Sequence, residues 1–153
     1  MLKMDKVKFV KLRRDAVLPE KKTVGAAGYD LYIPDNTLIR KGRNLIKLGI
    51  AIQMPNGIKS IIKARSGFSL KGIFGVDGKY HDADVLDGVI DCDYTGGIGV
   101  VVKSFEKDPF YIAAKERVAQ LLFSNYIDVE FVEVDSLDST DRGEGGFGHT
   151  NGR

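Results

Sequence analysis

The sequence predicts an all-β fold of the jelly-roll, barrel or sandwich class, and three observations predict it. Short runs rich in Val and Ile recur along the chain, each bounded by Gly, Pro, Asn or Asp. No long segment sustains helical periodicity. Glycine makes up 18 of 153 residues, well above the average share of about 7%, as many tight turns require. Glycines also have a second use, because a residue without Cβ lets backbone amides approach a ligand.

The strands follow in order. Lys6 to Leu12 (KVKFVKL) alternates polar and apolar residues, the period of a half-buried strand. Tyr29 to Ile33, Leu45 to Gln53 and Ile58 to Ala64 are the next β-like runs. A helical turn or two is expected over Ser66 to Gly72, with Ser66 as its N-cap. The turn-rich stretch Asp91 to Gly97 lies between the apolar pairs Val89-Ile90 and Val100-Val101, the pattern of a hairpin. Further strands are expected at Ile98 to Lys103, Phe110 to Ala113, Val118 to Phe123 and Val129 to Val132.

The length suits one domain, over residues 1–135, followed by an arm over 136–153. The arm, SLDSTDRGEGGFGHTNGR, has almost nothing apolar to bury and is expected to be mobile when alone. Yet Arg142, the glycines and a lone aromatic, Phe147, suit a segment that orders on a ligand.

Lys and Arg total 23 against 21 Asp and Glu, and a net charge of +2 implies neither a nucleic-acid nor a membrane partner. Phosphate binding, if present, must be local. The single cysteine, Cys92, excludes an internal disulfide and a Cys-rich zinc site and suits a reducing compartment. No apolar run approaches the ~18 residues of a membrane span, so a soluble cytoplasmic protein is expected. Gly143, Gly145 and Gly148 satisfy G-x-G-x-x-G, but no strand-to-helix context follows them. Asp91, Asp93, Thr95 and Gly96 resemble the start of a calcium loop, but Val102 stands where its bidentate Glu belongs.

Five segments carry a more specific pattern: GAAGYDLYI (25–33), RSGFSLKGI (65–73), GVIDCDYTGG (88–97), KERVAQLLF (115–123) and RGEGGFGHTN (142–151). In this order the chain resembles the deoxyuridine triphosphatase (dUTPase) family. The resemblance implies a distorted, β-clip-like jelly roll that assembles as a homotrimer, with each site built from three subunits. It implies hydrolysis of dUTP to dUMP and pyrophosphate with Mg²⁺ on the triphosphate. Asp91 matches the carboxylate that activates water. Tyr94 matches the ring that packs on the deoxyribose and excludes a 2′-hydroxyl. Gly88, Val89 and Ile90 belong to the main chain that reads uracil. Arg65, Ser66 and Gly67 match polyphosphate contacts, Gln120 a phosphate or metal-water contact, and Asp30 a carboxylate near the metal waters. Arg142 matches the γ-phosphate ligand, Phe147 the ring that stacks on uracil, and Gly148 a bend of the arm. By chemistry alone Asp91 and Asp30 fit structural roles equally well, and Arg117 fits an ion pair.

The chain departs from the family pattern at His149, Asn151, Thr95, Lys115 and Glu116, and in a long second-to-third motif spacing (GVDGKYHDADVL, 75–86). His81, Asp82 and Asp84 in that insertion are expected to be solvated, without a catalytic role. A dCTP deaminase of the same fold group, and a nucleotide-sensing or protein-binding module, are the alternative functions.

Overall fold

The computed structural model describes residues 4–148. Twelve strands and one short helix follow one another: β1 (Lys8–Lys11), β2 (Tyr29–Tyr32), β3 (Thr37–Ile39), β4 (Gly42–Gln53), β5 (Ile58–Lys63), α1 (Ser66–Lys71), β6 (Ile73–Phe74), β7 (Tyr80–His81), β8 (Ala83–Val85), β9 (Gly88–Ile90), β10 (Gly97–Ser104), β11 (Phe110–Ile112) and β12 (Arg117–Asn125). Two four-stranded antiparallel sheets, β1-β4-β10-β8 and β2-β12-β5-β9, carry the fold, with two-stranded ribbons β11-β3 and β6-β7 beside them.

Alternation along the strands builds the core. In β10, Ile98, Val100, Val102 and Ser104 are buried while the residues between them are not, so one face is committed inward. Residues from both sheets, including Leu31, Leu48, Val100, Val118 and Leu121, join one apolar cluster. This is the distorted jelly roll that the sequence predicts. Burying each such side chain contributes about 1.5–3 kcal/mol. Opposite Ile98, β4 carries extra residues: Gly97 pairs with Ala51 but Gly99 with Lys47. Gly49 sits in this bulge at φ +75°, a conformation few side chains tolerate.

Three expectations are corrected. Ser66 is not the helix cap, because Arg65 holds the extended N-cap position and Ser66 starts the helix. Val129 to Val132 forms no strand; Val129, Phe131 and Val132 are exposed and unpaired within the chain. Asp91 to Gly97 is not a hairpin, since β9 pairs with β5 whereas β10 pairs with β4 and β8. The segment instead crosses from one sheet to the other. No helix among the described residues is long and apolar enough to cross a membrane.

Candidate active site

Three of the sequence motifs meet on one sheet. In β12, Gln120 lies opposite Asp30 of β2 on one side and Lys63 of β5 on the other. Arg65 follows β5 and Arg117 opens β12, so both arginines reach the Asp30 carboxylate. Its Oδ1 lies 3.3 Å from Arg65 Nε and its Oδ2 3.3 Å from an Arg117 guanidinium nitrogen. Arg65 also donates to the Arg117 carbonyl at 3.4 Å. The Asp30 side chain is only 13% exposed, and in that setting one carboxylate fixes two guanidiniums side by side. Arg117 thus makes the ion pair that chemistry alone allowed. Gln120 Nε2 donates to the Ala64 carbonyl at 2.9 Å, which joins β12 to the start of α1. Ser66 and Gly67 are exposed in the first turn of α1, where backbone N–H groups lack helical partners.

The third motif lines a different place. Gly88, Val89, Ile90, Asp91 and Tyr94 border an open cleft of 780 Å³ whose other residues come mostly from β4 and β10. Ile90 is buried beneath it and Val89 is exposed, so the strand offers its backbone and one apolar side chain. The crossing segment is pinned by a turn, with Tyr94 N–H donating to the Asp91 carbonyl at 3.1 Å. Cys92 Sγ lies 3.2 Å from the Tyr126 hydroxyl, which also accepts from the Gly57 N–H. The contact with Cys92 raises the Tyr126 pKa.

Sequence reasoning missed Arg13, which lines the same cleft. Its guanidinium donates to both Asp15 oxygens at 2.7 and 2.8 Å and to Asp35 at 3.2 Å. These bonds raise the Arg13 pKa, and Arg13 lowers that of Asp15. Exposed pairs of this kind add little stability, so their effect is to orient Arg13. Nothing local to residue 13 signals this; pairing of β1 with β4 brings it there.

A single chain does not gather every predicted residue. Ile90 pairs with Ser60, so Asp91 falls beside Lys59 near the start of β5, whereas Arg65 lies beyond its other end; at about 3.3 Å per residue the strand from Lys59 to Lys63 alone separates them by on the order of 13 Å. In the arm, Arg142 Nε donates to the Gly145 carbonyl within its own turn, and the Phe147 ring is fully exposed. Gly148 follows with φ +90°. His149, Thr150 and Asn151 lie outside the described residues.

The insertion departs from the solvated loop expected of it. His81 lies between two carboxylates, with Nε2 3.0 Å from Asp77 and Nδ1 2.8 Å from Glu106. Its ring stacks on Phe110 at 4.0 Å. Asp82 and Asp84 are exposed as expected. Among the described residues, no group of three or more His, Cys, Asp or Glu is placed to hold a metal.

An arginine-carboxylate cluster and a separate apolar cleft thus lie on one jelly roll. The chain belongs to the dUTPase family, whose profile matches residues 14–151. Its relatives include the deoxyuridine 5′-triphosphate nucleotidohydrolase of Monkeypox virus, 44% identical over 94% of this chain and 89% of that protein. Among solved structures, the dUTPase of Staphylococcus bacteriophage 80alpha with dUPNHPP superposes with a TM-score of 0.81 at 24% identity, over 96% of this chain and 99% of that one. The dUTPase of S. aureus phage phi11, described with a structural Mg(II) ion, superposes at 0.76 with 20% identity, over 88% and 100%.

Proposed function

We propose that the protein hydrolyses dUTP to dUMP and pyrophosphate, limiting uracil in DNA and supplying dUMP for dTMP synthesis. The observation that carries this reading is Asp91 at the mouth of the apolar cleft, next to Tyr94 and the exposed Val89 backbone. Gly88, Val89 and Ile90 offer main-chain N–H and C=O groups to the uracil edge. Tyr94 walls the sugar. Asp91 accepts a hydrogen bond from water and takes its proton as the water oxygen bonds to the α-phosphorus. The α-phosphorus bond to the bridging oxygen breaks in line, and pyrophosphate leaves.

The separation of Asp91 from Arg65 supports completion of each site by other copies in a homotrimer. So does the run of exposed apolar residues Ile127, Val129, Phe131, Val132 and Val134, which nothing among the described residues covers. In that assembly Arg65, Ser66, Gly67 and Gln120 contact the polyphosphate. The C-terminal arm brings Arg142 to the γ-phosphate and Phe147 over the base, with Gly148 as its bend. The described residues fit a phosphate-bound Mg²⁺ held through water. Each Asp30 oxygen contacts one arginine and keeps a lone pair for a metal-bound water. When bound, Mg²⁺ draws negative charge from the phosphates. We place the enzyme in the cytoplasm, where a lone Cys92 stays reduced.

The test is pyrophosphate release from a panel of deoxy- and ribonucleoside triphosphates with magnesium, with ammonia measured from dCTP. Release from dUTP alone is the expected result; ammonia from dCTP, or no cleavage of dUTP, overturns the reading.

A further inference from the structure

We propose that Gly96, by fixing the pose of the Tyr94 ring, sets how strictly the site rejects a ribonucleotide. The inference rests on the reading above that Tyr94 walls the sugar. Tyr94 is 47% exposed, so packing alone does not hold its ring. Its polar anchor is local: the Tyr94 hydroxyl donates to the Gly97 carbonyl at 2.9 Å. That bond folds the ring back over its own turn, directly above Gly96.

A Cβ built on Gly96 would lie 2.6 Å from the Tyr94 hydroxyl oxygen, 2.7 Å from Cζ and 3.1 Å from Cε1. Heavy atoms settle at about 3.5–4.0 Å, so the ring tip occupies the space a side chain would need. Gly96 is not among the glycines with positive φ. Its backbone therefore accepts any residue, and only the ring demands glycine. At Gly49, by contrast, φ +75° itself disfavours a side chain.

Alanine at 96 is thus a selective perturbation. The ring lies at the surface, held at its tip by one hydrogen bond, so it yields while the backbone stays. Restoring ordinary contact needs a shift on the order of 1 Å, which breaks the bond to Gly97 and moves the wall that a 2′-hydroxyl would strike. Rejection of an added hydroxyl depends on a rigid obstacle, because an apolar surface that can retreat discriminates weakly.

The experiment compares kcat/KM for dUTP and UTP in the wild type, Gly96→Ala and Tyr94→Phe. In Gly96→Ala the preference for dUTP should fall about tenfold or more, through a rise with UTP. Tyr94→Phe keeps the ring and removes its anchor, so the preference should fall in the same direction by less. A structural defect would instead lower both nucleotides together and leave the ratio in place. Unchanged discrimination in an active Gly96→Ala enzyme overturns the inference. So does an unfolded Gly96→Ala protein accompanied by an unchanged ratio in Tyr94→Phe. Wild-type protein that cleaves neither nucleotide overturns the dUTP reading itself.

Discussion

Gln120 occupies the space that a side chain on Gly28 would need. A Cβ at Gly28 would overlap Gln120 Oε1 and come within 3.1 Å of Cδ, while Gln120 Nε2 holds the Ala64 carbonyl. The glycine of the first motif thereby positions the glutamine of the fourth, 92 positions along the chain. Gly28→Ala should displace Gln120 and lower kcat/KM for dUTP about tenfold. If the two act together, Gln120→Ala should cost a similar amount, and the double variant little more. Steady-state kinetics of the three variants check this; additive losses would reject the coupling.

Asp30 holds Arg65 and Arg117 together. Asp30→Asn removes the charge that neutralises both and leaves two partly buried cations facing each other. Unfolding free energy should fall by about 2 kcal/mol, with an accompanying loss of turnover. Chemical denaturation at fixed protein concentration measures it, because assembly into the proposed homotrimer makes stability concentration-dependent.

On the proposed mechanism Asp91 activates water and adds little to nucleotide binding. Asp91→Asn should keep affinity for a non-hydrolysable dUTP analogue within a few-fold while lowering kcat by about 10²–10⁴. Calorimetric binding and single-turnover hydrolysis separate the two. Normal turnover would reject Asp91 as the group that activates water.

His81 gives the insertion a pH dependence of definite sign. Burial opposes its charge, but the bonds to Asp77 and Glu106 outweigh this and raise its pKa above 6.5. Its contribution is therefore complete below the unfolded value and is lost as pH rises through the higher folded value. Asp77 is shifted down by the same contact, so its share persists until pH falls through its folded value. The Tm difference between wild type and His81→Gln should be largest in mildly acidic solution and shrink toward alkaline pH. A difference that grows with pH would contradict the ion-paired clamp.

The strands that could be read from sequence are those whose side chains reveal the environment. The alternation of Ile98, Val100 and Val102 and the apolar run of β12 are such signals, because period and burial are local properties. Val129 to Val132 has strand composition as well, yet forms none in this chain. A strand is a pairing, and among the described residues no neighbour is there for it. Asp91 to Gly97 misleads for the same reason, since its flanking pairs are adjacent in sequence but bond to β5 and β4. His81 looked solvated because Glu106, its partner, lies 25 residues away.

Residue type and spacing alone settled the all-β class and most strand positions, while the roles expected of the five motifs came from their resemblance to the family. Only the tertiary structure decided that Asp30 is shared by two arginines, that Gln120 depends on Gly28, and that Tyr94 folds onto Gly96. It also decided that Asp91 stands away from Arg65. The physical reason is that composition and period report what each residue can do, whereas contacts across sheets depend on register, which the sequence encodes only through the fold as a whole.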